Sequence, residues 1–194
     1  MCEQVIAQEV YTKAQASGYM ADFGEWLPYR TQQAPDLDVV MYNNKSAISF
    51  HNEYTEVWSN LHKPVAKLWK NASAPWTNSD PVVMVRTGHM STPGNAQLMW
   101  VGDQTVLWDN KDGLASALNG LLSGGLSGFS ISHSDIGGYA GNGFAPLKFL
   151  KICRTKNILM RWAEMNVFSP VFRTHLGNAP ATNTQVGSIS FVVW

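Results

Sequence analysis

At the start of the chain, the spacing of apolar and polar residues changes twice. A helical pattern covers residues 3–16, and a short apolar strand at residues 19–22 follows Gly18. Residues 28–50 are mostly polar, contain two proline breaks and an Asn-Asn pair, and are predicted to form a long loop. The opening of the chain therefore reads as a helix, a strand and a loop.

A second helix is predicted after this loop. Its apolar positions recur at helical spacing, at Trp58, Leu61, Val65 and Leu68. Pro64 lies among them, and proline removes a backbone hydrogen bond inside a helix. We expect Pro64 to kink or split this helix.

Short apolar runs and helices alternate through the rest of the chain. Strands are predicted at residues 82–85, buried on both faces, and at 97–101. Asp112 is the expected N-cap of a helix whose leucines share one face and whose end is Gly124-Gly125. A strand at 129–132, a helix over 147–165 and a strand at 171–174 complete the series. This alternation predicts an α/β protein with a parallel sheet.

Each predicted strand ends at or just before a polar residue. These residues are Asp22, Arg86, Asp103, Asp135 and His175. In a (β/α)8 barrel the chemistry lies at the carboxyl ends of the strands. A doubly wound sheet would usually carry a glycine-rich phosphate turn after a strand, whereas the glycine-rich stretch 124–128 precedes one. The pattern favours a barrel.

Charge and composition limit the classes of function that the chain can have. The 14 basic and 14 acidic side chains cancel, which argues against a nucleic-acid partner. The N-terminal sequence predicts neither a signal peptide nor a membrane span, so a cytoplasmic location is the default expectation. Two cysteines provide no disulfide framework, and eight tryptophans suit a core or a sugar site. No cofactor or metal is expected.

Two of the three strand-end aspartates could act as a catalytic pair. Retaining glycosidases use two carboxyl groups about 5–5.5 Å apart, one as nucleophile and one as acid/base. Asp22 and Asp103 fit this requirement by residue type and by position in the predicted strands. Aspartates also cap helices and pair with arginines, so the pair alone leaves a structural role open.

Four ordered sequence blocks resemble glycoside hydrolase family 31. They are residues 21–28 (ADFGEWLP), 99–104 (MWVGDQ), 134–139 (SDIGGY) and 168–175 (FSPVFRTH). The first resembles the family's nucleophile strand and the second its acid/base motif. The resemblance covers about residues 17–180 and implies a (β/α)8 TIM barrel that hydrolyses α-glycosides.

The resemblance also implies roles for single residues. Asp22 would be the nucleophile and Asp103 the acid/base. Four residues would line the subsite of the cleaved sugar: Arg86 and His175 as donors to hydroxyls, Trp100 as a wall, and Asp135 as a hydroxyl acceptor or an orienting group. Structural readings remain open, with Asp135 as a partner of Arg86 or Arg161 and His175 as a core histidine.

The motif variants resemble the sulfoquinovosidase branch of the family. These variants are DFGE at Asp22, HSDIGGY at residues 133–139 and RTHLGN at residues 173–178. The branch cleaves α-linked sulfoquinovose, a sulfonated sugar, and Tyr139 matches a tyrosine that helps to hold the sulfonate. The branch's other sulfonate contacts, an Arg and a Trp, lie on strands preceding those found here. An α-glucosidase or α-xylosidase of the same family is the alternative.

Chain length qualifies this prediction. A full barrel needs about 250 residues, and residues 1–180 match roughly strands 4 to 8 of the family barrel. Residues 181–194 do not continue the family pattern and suggest truncation or a shifted reading frame. Five strands cannot close a barrel, so a complementing chain, an oligomer or an inactive fragment is expected.

Two further classes remain as alternatives. A lectin-like protein would keep Trp100, Arg86 and His175 but would not need both Asp22 and Asp103. A metal hydrolase could use His133, Asp135 and His175, although no short-range ligand motif supports it.

Overall fold

A computed structural model describes residues 2–28, 30, 38–41, 44–69, 81–141 and 152–188. The chain divides into two compact units, Met1–Met99 and Trp100–Trp194. The described elements of both units are helices and short strands. The strands of the first unit pair in parallel, beside two isolated antiparallel bridges. The predicted α/β class is confirmed.

The first unit opens with helix α1, Cys2–Ile6, which continues as a π-helix over Ala7–Lys13. The helix predicted for residues 3–16 is therefore present, with a wider second half. Its buried residue is Tyr11, which packs against Val65 together with Ile6 and Val10. This contact attaches the N-terminal segment to the second helix of the unit.

Three parallel strands form the sheet of the first unit. Strand β1 (Gly18–Ala21) pairs with β2 (Val82–Val85), and β2 pairs with β3 (Leu98–Trp100), which ends the first unit and begins the second. Ala21, Val83, Val85 and Ala96 form the core beside the sheet. Val82 is exposed and Met84 half-buried, so the prediction that β2 is buried on both faces was wrong.

Helix α2 spans Ala47–Trp69 and begins inside the predicted loop. The rest of that loop lies partly outside the described residues. The helix runs through Pro64 without a split. Its buried face carries Thr55, Ser59, His62 and Val65, whereas Trp58, Leu61 and Leu68 are only half-buried. Ala47 and Phe50 are also buried, so half of the buried side chains of this helix are polar, which the apolar spacing did not predict.

The second unit contains helix α3, Leu114–Leu126. Its N-cap is Gly113 and not Asp112, whose backbone carbonyl instead accepts hydrogen bonds from the amide and hydroxyl of Thr105. The helix also continues past Gly124-Gly125, and the Ser127 amide closes its end. Both predicted ends of this helix were therefore displaced by one or two residues.

The later elements of the second unit are shorter than predicted. Strand β4 is Ser132–His133, and the strand expected at 171–174 is reduced to a single parallel bridge between Ile136 and Thr174. Helix α4 is Lys156–Asn166, capped by Thr155. Residues 152–155 precede it as non-helical chain, and 147–151 lie outside the described residues. The core of this unit comprises Ala117, Ile136, Ile158, Leu159 and Trp162.

Candidate active site

Asp22 and Arg86 follow neighbouring strands of the first unit. Because Ala21 pairs with Val85 in the parallel register, the next residues of both strands lie side by side. Arg86 Nε lies 3.0 Å from Asp22 Oδ1, and Arg86 Nη2 lies 2.7 Å from Glu25 Oε1. The Arg86 side chain is only 6% exposed, against 34% for Asp22. The expected sugar-binding arginine is thus paired with two carboxylates.

The loop after β1 holds the Asp22 carboxylate in place. Phe23 has a φ of 67°, a left-handed conformation that is uncommon for a bulky residue. This turn lets the Phe23 amide donate to Asp22 Oδ1 at 2.8 Å. Gly24 follows, and a Cβ there would lie closer than 3.0 Å to the side chains of Trp58 and Thr87. The glycine therefore allows the loop to lie against α2.

Two exposed aromatic rings cover Arg86. The guanidinium lies 4.9 Å from the ring centre of Phe23 and 6.0 Å from that of Trp26. The two rings meet edge to face, with centroids 5.6 Å apart. Such rings attract a cation and restrict water around it. They strengthen the orientation of Arg86, and through it that of Asp22.

In the second unit, Asp103 lies three residues after the end of β3. Gly102 has a φ of 91°, which favours glycine at that position. The half-buried Asp103 side chain contributes to raising the pKa of Asp112, after burial and the charge of Asp109. Trp100, on β3, is almost fully buried, and its role as a wall of the sugar subsite stays a prediction.

Asp135 is buried and forms an ion pair with Arg173. The structural partners expected from the sequence were Arg86 and Arg161, but Arg161 pairs with Glu164 at 2.6 Å on the surface of α4. Arg173 was not singled out from the sequence. The signals for it were its places within the FSPVFRTH and RTHLGN blocks.

His175 is held in a defined tautomer. The Gly177 amide donates to His175 Nδ1 at 2.9 Å, so in the neutral ring the proton is on Nε2. Burial and the charge of Arg173 lower the pKa of His175, while Asp103 opposes them. The Tyr139 ring packs edge to face on His175, with centroids 4.9 Å apart. The neutral ring can thus act as a donor through Nε2.

Arg154 is a structural residue that the sequence analysis missed. Its buried guanidinium donates to the carbonyls of Gly138, at 3.0 Å, and Thr184, at 2.9 Å. Gly137 has a φ of 89°, and a Cβ there would lie closer than 3.0 Å to Arg154. Arg154 therefore fixes the glycine turn between Asp135 and Tyr139. Residues 183–185, within the predicted divergent tail, also bond to it.

The described part of the chain was searched for a metal-ion cluster and for membrane-spanning helices. Among those residues no three His, Cys, Asp or Glu side chains are grouped to hold a metal ion. Arg173 contacts both His133 and Asp135, which places a cation where the metal alternative needs ligands. None of the described helices has the length and apolar character needed to cross a bilayer.

The fold and the strand-end carboxylates define an α/β domain of the TIM-barrel class. A family model described as "Glycosyl hydrolases family 31 TIM-barrel domain" matches residues 2–189. The chain belongs to glycoside hydrolase family 31, and its architecture is that of a partial TIM barrel.

Three sulfoquinovosidases are similar to this chain over most of its length. It is 35% identical over 170 residues to a sulfoquinovosidase of Agrobacterium fabrum and 33% identical over 168 residues to one of Escherichia coli, covering 88% and 87% of this chain. A solved family 31 sulfoquinovosidase from E. rectale, bound to the aza-sugar inhibitor IFGSQ, superposes over 96% of this chain with a TM-score of 0.76 and 35% identity. The chain spans 22% of the length of the first two and 25% of the third.

Proposed function

We propose that this chain carries the catalytic carboxylates of a retaining α-glycosidase. The observation that carries the proposal is the presence of Asp22 and Asp103 within three residues of the ends of parallel strands in a domain of family 31. Carboxyl groups at strand ends are where a barrel of this class performs its chemistry. The substrate is a carbohydrate with an α-linked leaving group.

Asp22 is the nucleophile of the proposed reaction. The ion pair with Arg86 and the bond from the Phe23 amide present it as an oriented carboxylate. An oxygen of Asp22 attacks the anomeric carbon, the bond to the leaving oxygen breaks, and a covalent glycosyl ester forms. Asp103 gives its proton to the departing oxygen.

The second step returns both groups to their starting states. Asp103, now a carboxylate, takes a proton from water, and the water oxygen attacks the anomeric carbon and releases Asp22. His175 donates a hydrogen bond from Nε2 to a sugar hydroxyl, as its tautomer allows. Asp135 accepts from another hydroxyl. Two inversions at the same carbon retain the α configuration.

The sugar is proposed to be sulfoquinovose. Both sulfoquinovosidase relatives exceed 30% identity over most of this chain. Tyr139 lies beside His175 and would contribute its hydroxyl to the sulfonate group. An α-glucoside is the closest competing substrate, because glucose differs from sulfoquinovose at the sulfonate-bearing carbon alone.

The test of the activity uses the full chain and two nitrophenyl α-glycosides, of sulfoquinovose and of glucose. We expect release of nitrophenol from the first, and its loss in Asp22→Asn and Asp103→Asn. Asp109→Asn is the matched control, because Asp109 accepts backbone hydrogen bonds in an exposed turn. A folded chain that is inert on both glycosides would contradict the enzymatic proposal. Initial release of β-sugar in an NMR time course would contradict retention.

Tyr139→Phe tests the choice of sugar. Removing the hydroxyl should lower kcat/KM for the sulfoquinovoside by about tenfold, the effect of losing one hydrogen bond to a charged group. The value for the glucoside should not fall. An equal loss on both substrates would leave Tyr139 as a packing partner of His175 and remove the support for the sulfonate contact.

Barrel closure is the second part of the proposal. A complete barrel has eight strands, whereas the described residues form four strands and two further isolated parallel bridges. We propose that a complementing chain or a second copy supplies the remaining wall. Light scattering should then give a mass above 21.4 kDa for the active species. Activity that stays with the monomeric mass would contradict this part.

A further inference from the structure

Arg173 connects three parts of the second unit. Its Nη2 contacts Asp135 Oδ1 and its Nε lies 3.4 Å from His133 Nε2. Its backbone carbonyl accepts from the Ile136 amide at 3.2 Å. The chain around Arg173 is thus aligned with the segment that carries Asp135, and the guanidinium reaches across both.

His133 presents a lone pair to this guanidinium. Its Nδ1 lies 2.9 Å from the Ser134 carbonyl, which can only accept, so the ring proton is on Nδ1. Nε2 is then unprotonated and accepts from Arg173 Nε. Burial lowers the pKa of His133 to about 4, which keeps the ring neutral at physiological pH. A protonated ring would repel the guanidinium.

The backbone between His133 and Asp135 is itself anchored on α4. Trp162 Nε1 donates to Ser134 Oγ at 2.8 Å, and Asn166 Nδ2 donates to the same oxygen at 3.0 Å. All three side chains are buried. Helix α4 therefore holds Ser134, whose carbonyl accepts from His133 Nδ1, and this bond directs the Nε2 lone pair of His133.

We propose that Arg173 is a positioning residue that aims the Asp135 carboxylate, and that neutral His133 aims Arg173. This inference rests on the proposed function, since Asp135 is taken to bind a sugar hydroxyl. The bidentate shape of guanidinium matters here, because one edge must reach a carboxylate while Nε reaches an imidazole. A lysine ammonium lacks that planar geometry.

The arrangement also acts on His175, two residues along the chain. The positive charge of Arg173 is one cause of the lowered pKa of His175. Replacing Arg173 by a neutral residue should raise that pKa, whereas Arg173→Lys should keep it low. A residue with a purely structural role would not change this titration in a charge-dependent way.

The experiment compares Arg173→Met and Arg173→Lys with Arg161→Met, which removes an exposed arginine paired with Glu164 on α4. If a displaced Asp135 no longer meets the substrate, kcat/KM should fall about 100-fold in Arg173→Met. Arg173→Lys should lose a large part of this activity while His175 titrates as in the parent chain. Arg161→Met should retain both properties.

Nitrogen-15 NMR of the histidine rings tests the inference independently of the enzymatic proposal. The parent chain should show His133 protonated on Nδ1, and Arg173→Met should shift the His133 Nε2 resonance and the midpoint of His175. These outcomes do not require turnover, so they decide the inference even if the chain is inert. His133 protonated on Nε2, or unchanged kinetics and His175 midpoint in Arg173→Met, would overturn it. If Arg173→Met does not fold, Arg173→Lys still tests the Nε2 contact.

Discussion

Gly24 shows how tightly the nucleophile loop fits against its own helix. An added Cβ would overlap the side chains of Trp58 and Thr87, so one of these side chains or the loop itself would have to shift. We expect Gly24→Ala to lower the free energy of unfolding by about 1–3 kcal/mol, as overpacking does. Urea denaturation followed by tryptophan fluorescence measures this loss.

Gly125→Ala is the matched control for that change. Gly125 lies in α3, and an added Cβ there meets nothing within 4 Å. Alanine in a helix is more stable than glycine by about 0.5–1 kcal/mol, so this variant should gain stability. Equal effects of the two substitutions would contradict the close packing at Gly24.

Buried histidines make the stability of the chain depend on pH. Burial lowers the pKa of His62 and of His133 to about 4, from about 6.5 in the unfolded chain. Because the unfolded state binds the proton first, stability is present above pH 6.5 and is lost as the pH falls towards 4. Each histidine should contribute about 2 kcal/mol of loss between pH 7 and 5.

His62→Phe tests this dependence. His62 accepts or donates a 2.7 Å hydrogen bond with the Tyr19 hydroxyl, so the variant loses some stability at every pH. Its decrease between pH 7 and 5 should nevertheless be about 2 kcal/mol smaller than in the parent chain. An unchanged slope in His62→Phe would refute the explanation.

Individual elements show which features of the fold could be read from the sequence. The strands that end at Asp22, Arg86 and Asp103 were predicted within one or two residues, because short apolar runs followed by polar residues have a local signature. The strand expected at 171–174 is only a bridge, since pairing depends on partners distant in sequence. The Arg86–Glu25 and Arg173–Asp135 pairs also depend on such contacts.

Helix α2 illustrates why its buried face was not predicted. Its inward side chains include Ser59, whose hydroxyl donates to the Glu56 carbonyl, and His62, whose Nδ1 bonds to the Tyr19 hydroxyl. Such groups cost little to bury once they are paired, but the partner is invisible in a hydrophobic pattern. The apolar spacing therefore indicated Val65 but not the buried Ser59 and His62.

The cap of α4 offers a test at the scale of an element. Thr155 Oγ1 accepts from the Ile158 amide at 3.4 Å. Thr155→Ala should lower the free energy of unfolding by about 1 kcal/mol, whereas Thr155→Ser should leave it nearly unchanged. Chemical denaturation of the two variants measures the difference. Equal losses would show that the methyl group, and not the hydroxyl, stabilises the helix.

The second unit carries an exposed apolar patch that can promote association between whole molecules. It comprises Leu118, Leu122, Leu126 and Phe168, which lie on α3 and just after α4. The formal net charge is +0 at pH 7, so little repulsion opposes contact between copies. Exposed patches of this kind promote association.

We expect the chain to self-associate at high concentration near neutral pH. Leu122→Lys should weaken that association, because it introduces a charge into the patch. Val57→Lys, at an exposed valine of α2, controls for the added charge. Sedimentation velocity over a range of concentrations measures both. Association that persists in Leu122→Lys and is lost in Val57→Lys would assign it to another surface.

The π-helix at Ala7–Lys13 carries a wider turn than an α-helix, which makes this stretch tolerant of losing a residue. Deleting exposed Gln8 would allow the segment to rewind with ordinary i to i−4 bonds while Tyr11 keeps its contact with Val65. A residue added there could not be accommodated by the same rewinding. Length variation among homologous chains should therefore be asymmetric at this position, with shorter forms accepted and longer ones avoided.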